Sequence, residues 1–405
     1  MNTNPPAYVL GGHEAGLAVI RSLGRAGLPV VSVVSSPREH GGRSRYATSR
    51  ATAPDPADRT RDYIEFLLGL GDEYGDGILV PTTDESVEAV STHREELAAR
   101  HRLACPSLWA AEHFLDKRLT SEVAGAAGVE APATSCPDTP EELERCACDL
   151  RFPCLIKPRE SYRYTRAFGV KMTRVEDRDE LRAAWRAAHD AGIGVLVQEI
   201  IPGPETGGVN YNLYMVDGEP AVEFTSRKVR LSPPDFGFPC VVRSAPVPEV
   251  VEPGRRIARA LGVQGFANVE FKQDERDGRY KLMEVNGRPN MSGELAIRCG
   301  VDFPLMTYRH LVHGVVPAPA SCPRDVYWIH EVADPGILFS RWRRGQLALR
   351  QALVPYLSRH VFASFALRDP GPFVDRARAK AFGVSEVVES RGTGRRRSPL
   401  RAGAR

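Results

Sequence analysis

Residues 1–112 alternate short apolar runs with helix-patterned ones, and no other feature narrows the fold of this chain as much. "AYVLGG" reads as a strand, "EAGLAVIRSLGRAG" as a helix with a terminal glycine, and "PVVSVVSS" as a second strand. A helix at residues 63–70 follows, then a strand in "GILVPTT" and a helix in "DESVEAVSTHREEL". Strands joined by whole helices run parallel, because each helix carries the chain back across the sheet. A doubly wound, Rossmann-like sheet is therefore expected over residues 1–112.

Beyond residue 113 the pattern changes. "DKRLTSEVAGAAG" reads as a helix, "FPCLIKP" as a short buried strand, "VKMTRV" as a strand, "DELRAAWRAAHDAG" as a helix and "GVLVQEII" as a strand. Two hairpins follow, "NYNLYMVDGEPAVEFTSRK" turning at Asp217-Gly218 and "FANVEFKQDERDGRYKLMEVN" turning near Asp277-Gly278. Asp-Gly between β-rich runs favours a tight hairpin turn. Helices are expected at 293–299 and 304–312, and a mainly helical, Arg-rich segment at 316–388. The tail 389–405 has almost no apolar residues and is expected to be disordered.

The second hairpin poses a chemical problem. Folded about its turn, it sets Glu270 roughly opposite Glu284, and like charges facing each other across strands destabilise the pair. Two acids in a partly buried place share a proton or recruit a cation. Asn286 lies on the same face as Glu284, since i and i+2 point together on a strand. Glu, Glu and Asn offer only oxygens, which suits Mg²⁺, an ion that keeps waters and bridges to phosphates. The plainer alternative is a solvent-facing edge whose acids pair with Lys272, Arg279 or Lys281.

Lysine is scarce beside arginine, which draws attention to the lysines that remain. Lys157 ends the apolar run "PCLIKP", where a charge is costly without an anion; a phosphate would provide one. Lys117 opens a helix and is a second phosphate candidate, the alternative being a solvated helix lysine. "VLVQEIIPGPET" offers a strand edge for an adenine, with Glu199 at its end, and Glu205 could accept hydrogen bonds from ribose hydroxyls.

In order and spacing, Lys117 in "DK", Lys157 in "PCLIKP", "QEIIPGPE", "NVEF" and "MEVNGRPN" resemble the ATP-grasp superfamily, over residues 7–315. Within it the chain looks most like the carboxylate–amine ligases, such as the D-aspartate ligase branch. The resemblance implies a Rossmann-like domain (1–112), a small lid subdomain (113–198), a large subdomain (199–315), a helical C-terminal extension (316–388) and a disordered basic tail (389–405). It further implies that Lys117 and Lys157 hold the α/β-phosphates of ATP. Glu199, Ile200 and Ile201 would contact adenine, and Glu205 the ribose. Glu270, Glu284 and Asn286 would bind Mg²⁺, with Mn²⁺ as a substitute. Arg288 would neutralise the transferred phosphoryl group, with Lys228 or Arg230 as a second clamp. Small carboxylate and amine substrates are implied, with a homodimer as a further expectation. One departure stands out: the stretch after Lys157, often glycine-rich in the superfamily, here reads "PRESYRYTRAFGVK" and offers Arg159, Arg163, Arg166, Tyr162 and Tyr164.

Other classes are disfavoured. Other ATP-grasp chemistries, carboxylation or carbamoyl-phosphate-type synthesis, are the first rival, but no biotinyl-lysine segment or internal duplication is present. For a nicotinamide enzyme, Gly11-Gly12-x-x-x-Gly16 is not G-x-G-x-x-G, and "VVSVVSSP" ends in serines rather than an acid. These glycines are expected to make a tight strand-to-helix turn. Residues 82–85, "TTDE", either face a substrate or supply a helix cap through Asp84. A nucleotide- or nucleic-acid-binding regulator using the Arg-rich C-terminus is the remaining rival. A net charge of +3 is too small to argue for nucleic acid or membrane. The eight cysteines lack zinc or redox spacing, so reduced thiols are expected. No cationic leader or long apolar run opens the chain, and a cytoplasmic protein is expected. His13, His113, His310 and His330 show no zinc spacing, and His310 and His313 are expected to be structural.

Overall fold

The computed structural model describes residues 4–159, 161–234, 236–319, 324–346 and 349–381. The tail 389–405 lies outside them, as do the side chains of Tyr162, Arg163 and Arg166.

The first sheet is parallel, as the alternation demands. Its strands lie in the order Ser49–Thr52, Val30–Val34, Ala7–Leu10, Ile78–Pro81 and Arg102–Leu103. The glycine-rich turn after the first strand has a steric cause. Gly11 sits at φ +109°, and a Cβ on Gly16 would lie 2.0 Å from the Gly11 carbonyl oxygen. Helix Glu14–Arg25 can therefore start hard against the strand end only with these residues.

The second sheet is antiparallel, in the order Thr134–Ser135, Val195–Glu199, Cys154–Pro158 and Thr173–Val175. Leu181, Ala184, Trp185 and Ala188, one stripe of helix Arg178–Asp190, pack on Cys154, Ile156, Val195 and Val197. The Arg- and Tyr-rich stretch after Lys157 is not an irregular loop. Ser161–Phe168 is a helix, with Tyr164 buried and hydrogen-bonded to Thr173 at 2.6 Å.

The third sheet has seven strands: Tyr280–Asn286, Gly265–Gln273, Gly208–Val216, Glu219–Ser232, Phe238–Ser244, Tyr327–Ile329 and His360–Phe362, in that spatial order. Both hairpins form. Asp217 and Gly218 take φ of 50° and 81°, as a two-residue turn matched to strand twist requires. One face of this sheet buries Val209, Tyr211, Val269, Phe271, Leu282 and Val285.

The segment past residue 316 is largely helical (Asp334–Arg343, Leu349–Leu357, Gly371–Ala381), yet it also adds the last two strands of the third sheet. Three-residue strands are too short to show period-2 patterning, which is why the sequence reads as helical there. This segment returns to the first domain. Arg21 bonds Asp369 at 2.9 Å with both side chains about 1% exposed, and Arg376 pairs with Glu14. Among the described residues the cysteines are free thiols, and no helix is long and apolar enough to cross a membrane.

Candidate active site

The polar face of the third sheet is where the chemistry gathers. Glu270 stands opposite Glu284, and Asn268 opposite Asn286. The register of the outer hairpin shifts between Glu270 and Phe271, which pairs with Leu282, so that Met283 is the extra residue. Without that bulge Glu270 would face Met283; bulges of this kind re-aim side chains beside functional sites. On the next strand inward, Asn210 pairs with Glu270 and Asn212 with Asn268. A two-deep array of oxygens and amides results.

These side chains floor a cleft of about 950 Å³ between the three sheets. Lys117, Lys157, Lys228, Glu199, Ile200, Ile201, Glu205, Glu270, Glu284, Asn286 and Arg288 all line it. The sequence-derived set is thus brought together, save one member. Arg230 is not on the wall: its guanidinium is buried and bonds both oxygens of Asp334, at 2.7 and 2.8 Å. The strand register shifts between Lys228 and Arg230, so the two do not share the cleft face as plain alternation suggests. Of these two, Lys228 reaches the cleft and Arg230 does not.

Each acid of the hairpin holds a lysine. Lys228 Nζ donates to Glu270, and Lys117 Nζ lies 3.6 Å from Glu284. Burial pushes the Glu270 carboxyl up, but Lys228, with Arg288 and Lys171 beyond it, holds the group below the usual range. Two carboxylates with Asn286 beside them are a donor set that Mg²⁺ accepts. Among the described residues no third Asp, Glu, His or Cys completes a metal-binding group, so water or phosphate oxygens would fill the remaining positions. Lys157 is 8% exposed and donates to Gln198 at 2.6 Å. Burial pulls its ammonium down to about 8, and Glu284 and Glu270 only partly oppose this.

Arg288 carries a partner that the sequence did not assign. It forms a forked pair with Asp84, at 2.6 and 3.1 Å, across from the first sheet. Burial would lower the guanidinium pKa, and Asp84 more than restores it. The Asp84 carboxyl is raised by burial and brought below its usual value by Arg288. Asp84 is not the helix cap; Thr83 fills that role in a reciprocal capping box with Ser86. Asp84 and Glu85 instead face the cleft.

At the far end, Glu199 accepts from the Ala133 N–H and from Arg276. Glu205, nearly buried, is gripped by Arg341 at 2.6 Å. Arg159 turns away to Asp138. Lys171, Asn210, Asn268 and Asn290 also line the cleft, and the sequence reading missed them. The alternation Asn210-x-Asn212 and Asn268-x-Glu270 was the available signal. His310 bonds the Tyr214 hydroxyl, a structural contact.

Residues 244–333, which contain the hairpin, match the family model described as ATP-grasp in the biosynthetic pathway with Ter operon. A D-alanine–D-alanine ligase of Pseudomonas putida (strain GB-1) is 28% identical over 213 residues, covering 50% of this chain and 64% of the relative. The chain thus spans less than two thirds of the length of the curated relatives it matches. An L-amino acid ligase from Bacillus licheniformis superposes with a TM-score of 0.60 at 18% identity, over 77% of this chain and 75% of that one. The biotin carboxylase domain of a Hydrogenobacter thermophilus 2-oxoglutarate carboxylase gives 0.64 at 18%, over 80% and 73%. At such identities the superpositions speak for the fold. The chain thus has the ATP-grasp fold, and its sequence likeness lies with D-alanine–D-alanine ligases.

Proposed function

We propose that this protein is an ADP-forming ligase that joins a small carboxylate, of the amino-acid class, to an amine with ATP and Mg²⁺. The observation that carries the reading is the opposition of Glu270 and Glu284 in one cleft with Lys117, Lys157 and Lys228. Residues 1–112 then supply the substrate-facing edge, 113–198 the lid, and 199–315 the floor. A cytoplasmic setting and a homodimer complete the proposal, and nucleic acid has no role in it.

In this reading Lys117 and Lys157 hold the α/β-phosphates, Ile201 and its neighbours the adenine, and Glu205 the ribose. Bound at Glu270, Glu284 and Asn286, Mg²⁺ would neutralise phosphate charge and orient the polyphosphate. The substrate carboxylate attacks the γ-phosphorus in line; the new P–O bond forms as the bridging bond to ADP breaks. Arg288 and Lys228 face the equatorial charge of that transfer, which positioning and electrostatics dominate. The amine then attacks the acyl carbon, and phosphate leaves with the bonding electron pair as the amine proton passes to solvent. Asp84 orients the Arg288 guanidinium through its forked pair.

The test is a matrix of amino-acid pairs with ATP and Mg²⁺, scored for phosphate release, with products read by mass. An amide product is expected. Phosphate release that depends on bicarbonate and yields a carboxylated product would instead favour carboxylation chemistry.

A further inference from the structure

Beside the cleft lies a second cavity, of about 260 Å³, between the first domain and the third sheet. Tyr214, Phe224, Phe266, Phe303, Tyr308 and Leu311 are among its walls. Its charged neighbour Arg94 is turned to the carbonyl oxygens of Cys105 and Pro106, at 2.6 and 2.9 Å. Asn290 and Ser292 line both this chamber and the cleft, so the two spaces meet there.

The junction has a defined polarity. Asn212 Oδ1 accepts from Asn268 Nδ2 at 3.1 Å and from Asn290 Nδ2 at 2.9 Å. With an N–H of each amide engaged there, the oxygens of Asn268 and Asn290 are the atoms left to accept, that of Asn290 also accepting from the Ser292 hydroxyl at 3.4 Å. Asn268 is fully buried, and its Oδ1 has no hydrogen-bond partner among the described residues. A buried acceptor without a donor is costly, and it marks a place where a donor is to be received.

We propose that the amine substrate is an amino acid or derivative with a branched aliphatic or aromatic side chain, that Asn268 and Asn290 receive its amino group, and that the chamber takes its side chain. The inference rests on the ligase reading and names the class of its acceptor. An amide oxygen suits an attacking amine better than a carboxylate does. It accepts an N–H without the full charge that would hold the amine as ammonium, which has no lone pair to donate. The size also fits: an engineered apolar cavity of about 150 Å³ already binds benzene. Interiors are otherwise packed to near-crystalline density, so a chamber this large is an expensive feature to retain.

Two variants test it in the full-length protein. Ala296 lies on the chamber wall, on the helix Gly293–Arg298. Ala296→Leu should lower kcat/KM for phenylalanine relative to alanine as the amine by about 10-fold or more, the scale on which pockets read methylene groups. Asn268→Leu removes the acceptor; it should raise KM for the amine by about 10-fold while KM for ATP stays within about 2-fold. Should Asn268→Leu fail to fold, the Ala296→Leu ratio and the wild-type ranking still decide. A wild-type ranking that favours glycine, serine or charged amines over leucine and phenylalanine would overturn the proposal, as would an unchanged ratio in Ala296→Leu. A protein that releases no phosphate with any pair fails the ligase reading itself, which is a separate result.

Discussion

Two groups of ion pairs in the molecule contrast. In the cleft, lysines meet glutamates: Lys228 with Glu270, exposed 17% and 23%, and Lys117 with Glu284, exposed 19% and 37%. Around the C-terminal segment, arginines meet aspartates in the dry interior: Arg230 with Asp334, at 3% and 0%, and Arg21 with Asp369. A lysine ammonium is a compact charge on a loose stem and exchanges partners readily, whereas a guanidinium fork fixed on a carboxylate is a rigid joint. In the proposed function the cleft pairs would open to a visiting anion and cation, whereas the interior pairs are architecture. Arg230, two residues from Lys228 in sequence, belongs to the second group.

The contrast breaks most visibly at Asp334. Asp334→Ala strands a buried guanidinium and should cost about 3–5 kcal/mol in urea unfolding, while the tyrosine hydroxyl of Tyr356 also loses its 2.7 Å acceptor. Glu284→Gln should do the reverse, cutting amide formation by about 100-fold or more with stability nearly unmoved, since partly exposed pairs contribute little. Full turnover in Glu284→Gln at saturating Mg²⁺ would sink the metal assignment. The Arg288–Asp84 fork lies between the two kinds. Asp84→Asn should lower kcat/KM by about 10-fold, with an unfolding shift of under about 1 kcal/mol.

Lys157 sharpens the comparison through pH. Its ammonium is pulled to about 8 by burial, so affinity for ATP should weaken as pH rises past that value, and calorimetry near it should detect proton uptake on binding. The stability sign is opposite. Between about 8 and the ordinary 10.5 the unfolded chain keeps a proton that the folded one has released. This group therefore makes stability rise with pH in that window. The smallest effect should come from salt, which screens the cleft pairs and leaves the interior ones nearly untouched.

Much of this was legible because it is local. Strand–helix alternation dictated the parallel sheet, and an Asp-Gly turn between β-rich runs placed Glu270 against Glu284 within one hairpin. The bulge at Met283 was not readable, although the opposition of the acids depends on it. The pairs Arg288–Asp84, Arg341–Glu205 and Arg230–Asp334 join residues over 100 positions apart, and no local pattern announces such a partner. The helix Ser161–Phe168 was missed because an Arg- and Tyr-rich stretch was expected to stand in for a glycine loop. The asparagine array was visible as alternation, but neutral amides on a strand draw little notice until neighbouring strands stack them.

The contacts of Asp369 and Arg376 with helix Glu14–Arg25 have a consequence for biosynthesis. Arg21 and Glu14 lie near the start of the chain, and their counter-charges come from Asp369 and Arg376. While the polypeptide is still emerging from the ribosome, the opening sheet can close only with two unmatched ions against its first helix. The N-terminal unit is therefore completed last, although it is made first, and a fragment cut back to the ATP-grasp core should come off the ribosome prone to aggregate.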